Sequence, residues 1–596
     1  MSSKAKRRRP KRRQQAAAPA GRHTPGQTRA AAEMRELPNR HPLVLAAKHL
    51  EAGKGEYGAL LRLSTQTLDR VGSGLPISPN SEEFELWFGR DYPDKPPSVV
   101  VRHKRFLGYP HVLAQCVRFP DVFFCSICIY LDVAREWHPA FGLDRVVARL
   151  VEWLEDAAAD RFDSRTALYH PIGGLPPSPR VAGTLIVRPS TPAPPRKPIS
   201  LATIESRAPH RSDLVRWAKR SGDDPASTTS ALVVRTKEPM VLGLGRTSTL
   251  GDLLARVEAA KGPPVVAVLG AVERLLPHLT DGTLRIIVEV AHPAVESLTY
   301  VACAMAPVPR IATQRATIAS HLHNLPIGWI TVSDERTEIA TRRDHQRPTS
   351  AYTDKTIEIW GCGGLGSWMA EFIARAGARR FVLRDTGAVA GGLLVRQNYT
   401  EDDVGLPKAT QLAMRLRAIS DDLEVSAEPS SALDVLADGY VPTTDILIDA
   451  TINVTVGARL DEWARAASGR PLIAQVATDP RSATLGILAV ADPAAPFGPA
   501  TIDDATWLAV HTDPTLERFH GFWTPPRKTD QLVPALGCST PTFHGSAADL
   551  ACLAGSLVSL LAGHLGSSAP GTHLIEASHA RGPDGGGHYF IPYKAT

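Results

Sequence analysis

A glycine-dense turn, Gly361-Cys362-Gly363-Gly364-Leu365-Gly366, constrains this chain more than any other feature. It follows the apolar run Thr356-Ile357-Glu358-Ile359-Trp360 and opens a helical pattern from Ser367 to Ala376. Strand, turn and helix predict a phosphate cradle, in which backbone N–H groups and the positive helix end face an anion. Alone, such a turn most often marks dinucleotide binding. The residues downstream change that reading. Asp385 closes the next apolar run, Arg380-Phe381-Val382-Leu383, where a carboxylate can hold a ribose. Arg396-Gln397 follow and, after Gly405, Lys408. Two cations so close to a nucleotide suit a triphosphate and the charge that develops in adenylyl transfer; a hydride-transfer enzyme has no need of them.

This order of motifs resembles the adenylation domain of ubiquitin-activating enzymes and of their bacterial ThiF-type relatives that activate sulfur carriers. The resemblance runs from Tyr352 to the C-terminus. It implies that Gly361, Gly363, Gly364, Gly366 and Asp385 hold ATP, and that Arg396 and Lys408 contact its phosphates. Arg375 stands in a matching Ala-Arg-Ala-Gly segment, and magnesium is the implied accompanying ion. The sequence departs from the family at three places. The second acidic residue after Asp385 is Gly387, and the asparagine before the Arg-Gln pair is Leu393. The family's DxTDN motif reads Asp449-Ala450-Thr451-Ile452-Asn453, so Ile452 occupies the position of the magnesium carboxylate and the metal must fall to Asp449 or to other groups, or be held more weakly.

Near the C-terminus, Cys538 lies in Leu536-Gly537-Cys538-Ser539-Thr540-Pro541, just ahead of a helix-like run from Gly545 to Leu565. A helix N-terminus stabilises a nearby thiolate, which suits a nucleophile. The resemblance places the thioester cysteine of activating enzymes on a loop crossing the nucleotide site, and Cys538 matches that position. Cys552, inside the following apolar helix, is expected in the core. The apolar stretch from Leu550 to Leu561 is broken by small residues and is expected to be too short and mixed to span a membrane.

The N-terminal third carries a second constellation. Phe84-Glu85-Leu86-Trp87-Phe88 reads as a strand leading into Asp91-Tyr92-Pro93-Asp94-Lys95-Pro96-Pro97. Tyr109-Pro110-His111-Val112, Ile127-Cys128-Ile129-Tyr130 and Glu136-Trp137-His138-Pro139 follow in order. Leu143, Val146, Val147, Leu150, Val151 and Leu154 then recur at helical spacing. This succession resembles the ubiquitin-conjugating fold, with Cys128 at the place of its catalytic cysteine. The family's HPN asparagine, which helps stabilise the oxyanion in aminolysis, aligns with His111, and the segment from His111 to Cys128 is longer than usual. Cys125 and Cys128 form one CxxC, and no second pair exists among the seven cysteines to complete a zinc ribbon.

A chain of 596 residues with 43% hydrophobic content suits three or four domains, each with its own core. The scattered cysteines point to a reducing compartment, expected to be the cytoplasm. The basic run from Lys4 to Arg13 lacks the apolar region of a signal peptide and dominates the formal charge of +6. The expected organisation is multidomain α/β. Residues 1–35 form a basic disordered tail, 36–165 a ubiquitin-conjugating-like α+β domain and 166–200 a Pro-rich linker, in which Val181–Val187 can form a strand. Residues 201–345 form an α/β middle domain, and 346–596 a Rossmann-like ThiF adenylation domain. In the middle region Val265–Gly270, Arg285–Val290 and Trp329–Val332 read as strands, and Cys303, His321 and His323 as structural residues. Pairing of active and inactive halves in activating enzymes makes the middle domain a candidate pseudo-adenylation half.

An activating and a conjugating module in one polypeptide resemble the fused proteins of bacterial antiviral operons. The resemblance implies ATP-dependent adenylation of a protein C-terminus, a thioester on Cys538, transfer to Cys128 and conjugation to an acceptor amine. The protein substrate is then a ubiquitin-like protein or a cyclic-nucleotide synthase, with a homodimer as the expected assembly and no membrane partner. The alternatives are a sulfur-carrier adenylyltransferase, which has no use for Cys128, and an inactive scaffold that binds a ubiquitin-like partner.

Overall fold

The computed structural model describes residues 23–50, 57–106, 109–115, 124–163, 169–170, 184–188, 197–208, 211–216, 228–240, 249–279, 281–292, 295, 298–308, 321–336, 344, 346–420, 422–479, 482–524, 545–566, 569–580 and 586–594. The chain divides into two compact units, Met1–Thr341 and Arg342–Thr596.

The first unit opens with helix α1 (Pro25–Arg40), started by a capping box between Thr24 and Gln27. Ala30, Met34 and Leu37 of α1 are buried, so the fold begins within the stretch expected as a tail. Strands β1 (Val44–Leu50), β2 (Tyr57–Ser64), β3 (Ser81–Phe88), β4 (Ser98–Val101), β5 (Val112–Gln115), β6 (Phe124–Ile127) and the short β7 (Tyr169–His170) form a sheet of order β1-β2-β3-β4-β6-β5-β7. On β3 burial alternates strictly, with Phe84, Leu86 and Phe88 inward, as a sheet with one covered face requires. Beyond the short helix α2 (Val133–Glu136), helix α3 (Leu143–Ala158) buries Leu143, Val146, Val147, Leu150 and Leu154 of the expected stripe, leaves Val151 partly buried and adds Trp153.

The middle region is a closed barrel. Strands β8 (Thr184–Val187), β9 (Ile199–Ala208), β10 (Arg211–Arg216), β11 (Thr228–Arg235), β12 (Thr283–Ala291), β13 (Thr299–Pro307) and β14 (Gly328–Asp334) close in the order β10-β8-β14-β13-β12-β11-β9. Leu185, Val187, Ala231, Val233, Ile287 and Cys303 fill one apolar cluster. The alternate residues Leu232, Val234, Ile286 and Val288 pack with helices α4 (Leu250–Ala259) and α5 (Val265–Leu275). Val265–Gly270, expected as a strand, begins α5. Pro264 ends the preceding turn, and Val268, Ala271, Val272 and Leu275 continue the pattern at helical spacing. The closed barrel is a different architecture from the open, partly parallel sheet that a pseudo-adenylation half would share with the second unit. Cys303 is fully buried, and desolvation pushes its thiol up to about 12.

The second unit is built on β15 (Thr356–Trp360), α6 (Gly364–Arg375), β16 (Arg380–Arg384), α7 (Lys408–Ile419), β17 (Glu424–Glu428), α8 (Ala432–Ala437), β18 (Ile446–Asp449), α9 (Val454–Ala466), β19 (Leu472–Thr478), β20 (Leu485–Ala491), α10 (Pro499–Thr512), α11 (Ala547–His564), β21 (Gly571–Glu576) and β22 (His588–Pro592). Its sheet has the order β17-β16-β15-β18-β19-β20-β21-β22. The strands from β17 to β19 are parallel, and the remaining pairs are antiparallel. From β15 the chain winds outward through β16 and β17, then returns to place β18 on the other side of β15. That reversal opens a crevice at the carboxyl ends of β15 and β18, where parallel α/β sheets take their ligands.

Helix α11 corrects two expectations. By length and composition it is apolar enough to cross a membrane, with a mean hydropathy of 1.4. It is nevertheless a core helix: Leu550, Leu553, Ala554, Leu557, Val558 and Leu561 are buried in the main core, and the Tyr352 hydroxyl donates to Val558 O at 2.8 Å. Cys552 lies on its opposite, exposed side rather than in the core.

Candidate functional site

The crevice is closed by backbone that only glycine can follow. Gly361 has φ +88°, and a Cβ there would sit 2.7 Å from Ala450 O. A Cβ on Gly366 would sit 1.9 Å from Gly361 O. The two strand ends thus approach each other through bare backbone, with Trp360 in register with Asp449. Gly363 caps α6 and Gly364 is its first residue, so the helix N-terminus opens at this turn.

Asp385 lies one residue beyond β16. One carboxylate oxygen accepts the Cys362 N–H at 2.7 Å and the other accepts the Gly387 N–H at 2.6 Å. Lys408 begins α7, and its N–H donates to Gly387 O at 2.9 Å. A Cβ on Gly387 would sit 3.5 Å from Lys408 Nζ and 3.0 Å from Asp385 Oδ1, so the ammonium and the carboxylate flank the position of the missing second acid. Arg396 is partly buried, which lowers its pKa through desolvation.

Three residues that the sequence analysis did not single out hold these groups. Tyr399 Oη donates to Cys362 O at 2.7 Å, tying the segment after Arg396-Gln397 to the glycine turn. Glu371 on α6 accepts from Asn398 Nδ2 at 2.6 Å and from Arg415 Nε at 2.7 Å. It also accepts from Arg375 at 2.8 Å, so Arg375 pairs within its own helix. Although burial opposes its ionisation, the hydrogen bonds from Asn398, Arg415 and Arg375 win and bring its pKa down to about 2. Gln475 on β19 donates to Asp449 at 3.1 Å. Only Asn398 and Tyr399 carried a signal, through their place directly after Arg396-Gln397.

Asp449 is fully buried, and burial raises its pKa. One of its oxygens accepts from both Thr451 N and Thr451 Oγ1, at 3.0 and 2.7 Å, and the other from Gln475. Its role is to fold the Asp449–Asn453 turn. Asn453 caps α9 by accepting from Thr455 N at 2.9 Å. Ile452 is 57% exposed and has φ +57°. The residues present do not fit a protein-held magnesium ion. The family's metal position carries an aliphatic side chain, and the neighbouring carboxylate of Asp449 is fully buried and already accepts three hydrogen bonds. Among the described residues no group of three His, Cys, Asp or Glu side chains is arranged to hold a metal.

In the first unit, Cys128 follows β6 and is half-buried, and desolvation pushes its thiol pKa up. Its N–H donates to His111 O at 2.9 Å. His111 has φ +58° and its ring packs 4.9 Å from Phe162. Trp137 Nε1 donates to Pro93 O at 2.8 Å, joining the Trp-His-Pro segment to the Tyr-Pro segment before the cysteine. Cys125 is buried in the domain core. Cys538 lies outside the described residues.

Comparison with known proteins agrees with both constellations. Residues 345–492 match the ThiF family, and residues 59–179 match the prokaryotic E2 family A. The chain joins a ThiF adenylation domain to a prokaryotic E2 domain. Over 126 residues, 20% of this chain and 46% of the relative, it is 31% identical to the tRNA threonylcarbamoyladenosine dehydratase of Escherichia coli. Over 101 residues, 16% of this chain and 29% of the relative, it is 37% identical to the sulfur carrier protein ThiS adenylyltransferase of Bacillus subtilis. The chain thus spans less than half the length of either relative. Among solved structures it resembles E. coli MccB with ATP at 15% identity and a TM-score of 0.29, covering 41% of this chain and 65% of that one.

Proposed function

We propose that the second unit uses ATP to adenylate the C-terminal carboxylate of a partner protein, and that the first unit receives the activated acyl group on Cys128. The observation that carries this reading is the gathering of Asp385, Lys408 and the α6 N-terminus at the switch between β15 and β18, with Arg396 on the adjoining segment. A carboxylate suited to a ribose and cations suited to phosphates are the complement of a nucleoside triphosphate. In the reaction, the partner's carboxylate oxygen attacks the α-phosphorus and pyrophosphate leaves. The Cys538 thiolate then displaces AMP to form a thioester, Cys128 takes the acyl group by thiol exchange, and an amine completes the transfer. Joining both cysteines in one chain makes the exchange intramolecular. The magnesium that ordinarily accompanies ATP has no carboxylate ligand in this proposal.

The proposed setting is bacterial antiviral defence, in the cytoplasm, with a ubiquitin-like protein or a cyclic-nucleotide synthase as the activated partner and a homodimer as the working assembly. Pyrophosphate exchange into ATP, dependent on a partner with a free C-terminus, tests the reading. Arg396→Ala and Lys408→Ala should each lower exchange on the order of 100-fold, the usual cost of removing a group that stabilises transition-state charge. Undiminished exchange in both variants sinks the site. With exchange intact, Cys128→Ala should still load Cys538, whereas Cys538→Ala should leave Cys128 empty. Wild-type charging of Cys128 in the latter removes Cys538 from the route.

A further inference from the structure

The turn between β18 and α9 combines two unusual features. Ile452, a β-branched residue, sits in the left-handed region at φ +57°, and its side chain is 57% exposed instead of packed. L-residues avoid this region, and Asn and Asp tolerate it best. The backbone here has therefore kept the shape that suits an acidic or amide residue, while the carboxylate itself is gone.

Among the described residues, no carboxylate stands in its place. Asp449, three residues earlier, is fully buried and accepts three hydrogen bonds, two from Thr451 and one from Gln475. Freeing it for a cation would unmake the turn. Asp385 has one oxygen engaged by Cys362 N–H and the other by Gly387 N–H. Asn453 spends its side-chain oxygen on the N-terminus of α9. At the end of β17, one oxygen of Glu428 accepts from Ser426 Oγ at 2.7 Å. Magnesium is held in nucleotide sites by one or two carboxylates together with the phosphates. Each of these carboxylates already accepts at least one hydrogen bond, and none of them stands where the acidic residue in place of Ile452 would.

What the crevice does offer is positive. Lys408 Nζ lies 3.5 Å from where a Cβ on Gly387 would sit, and Asp385 Oδ1 lies 3.0 Å from the same point. Arg396 and the N-terminal N–H groups of α6 add to it. We propose that this site, read as the ATP site above, takes the triphosphate without a protein-held metal ion. Lys408, Arg396 and the backbone N–H groups of the glycine turn meet the phosphate charge, and Ile452 removes the metal requirement that an acidic residue would impose.

The test is calorimetric titration of the full chain with ATP, in magnesium and in EDTA, beside thermal unfolding without nucleotide. The wild type should bind ATP in EDTA within about threefold of its affinity in magnesium. Ile452→Asp should bind ATP at least about tenfold more tightly in magnesium than in EDTA, because a carboxylate is restored on backbone already shaped for it. Ile452→Asn should show no such split. Both variants should unfold at a higher temperature than the wild type, since both residues tolerate the left-handed region and an exposed Ile is not missed. Wild-type binding that tightens well beyond threefold in magnesium overturns the inference and leaves the ATP reading standing. Absence of ATP binding in both buffers overturns the ATP reading and the inference with it. Magnesium-independent binding by Ile452→Asp also overturns the inference, because the turn would then not be the place where the metal was lost.

Discussion

Around the glycine turn, Asp385, Asp449 and Glu371 each accept at least two hydrogen bonds, whereas among the described residues Cys128 is tied through its backbone N–H to His111 O. The first region fixes charge before any ligand arrives. Its carboxylates are spent on holding backbone and cations in place, which is how a site comes to stabilise developing charge without rearranging at the moment of reaction. The second region fixes only position. Desolvation raises the pKa of the Cys128 thiol. Nucleotide chemistry needs a standing electrostatic frame. Acyl exchange needs a sulfur that is reachable and unreactive until its partner docks.

If that contrast holds, removing a carboxylate from the first region should cost the most. Glu371→Ala leaves the buried Asn398 amide and the Arg415 and Arg375 guanidinium groups without their shared acceptor. It should destabilise the second unit by about 2–3 kcal/mol, less than a fully buried network because both arginines reach solvent. Urea denaturation of the full chain, followed by hydrogen exchange along α6, reads this directly. Cys128→Ala should cost under about 1 kcal/mol by the same method. The folded-state pKa of Glu371 lies near 2, below its ordinary 4.5, so the unfolded chain takes up the proton first. Its stabilisation is therefore complete above pH 4.5 and is lost as pH falls from 4.5 toward 2. Glu371→Gln should flatten the acid side of the stability profile in that window. An unchanged profile would show that the network contributes nothing.

The sequence was most legible where chemistry and backbone geometry coincide. Gly361, Asp385 and Lys408 could be read because a tight approach, a strand end and a helix start each demand a residue type. The order Tyr92-Pro93, Cys128, Trp137 was readable for the same reason, since Trp137 must reach Pro93 O. Glu371 and Gln475 were invisible. Each is an ordinary polar residue on a regular element, and its importance comes from a partner brought near only by the fold. The barrel was missed because Val265-Val266-Ala267-Val268-Leu269 has the composition of a buried strand, and only the wider spacing out to Leu275 shows the helix. Cys552 was misplaced because an apolar helix does not reveal which side faces out.

A smaller effect should appear at Cys128 itself. Burial raises its thiol pKa above the ordinary 9, so less thiolate exists at pH 7 than for an unburied thiol. Iodoacetamide should alkylate it more slowly than Cys552, which is exposed on α11. Its rate should go on rising past pH 9. Peptide mapping separates the two cysteines. A rate that levels off below pH 8 would mean that Cys128 is activated in the free protein, and the contrast between the two regions would fail.

The smallest expected change lies one contact away, at His111. Its backbone is left-handed at φ +58°, and its carbonyl receives the Cys128 N–H. Asparagine adopts this conformation more readily than histidine and gives up the ring contact with Phe162. The two effects oppose each other, so His111→Asn should change the stability of the first unit by no more than about 0.5 kcal/mol. Its informative effect is chemical. An asparagine amide near the cysteine can donate to the oxyanion formed when an amine attacks the thioester. Discharge of acyl-loaded Cys128 to free lysine should therefore speed up severalfold in His111→Asn, while loading of Cys128 stays the same. If discharge is unchanged, the oxyanion is already stabilised by other groups. The cysteine region would then be better equipped than its sparse hydrogen bonding suggests.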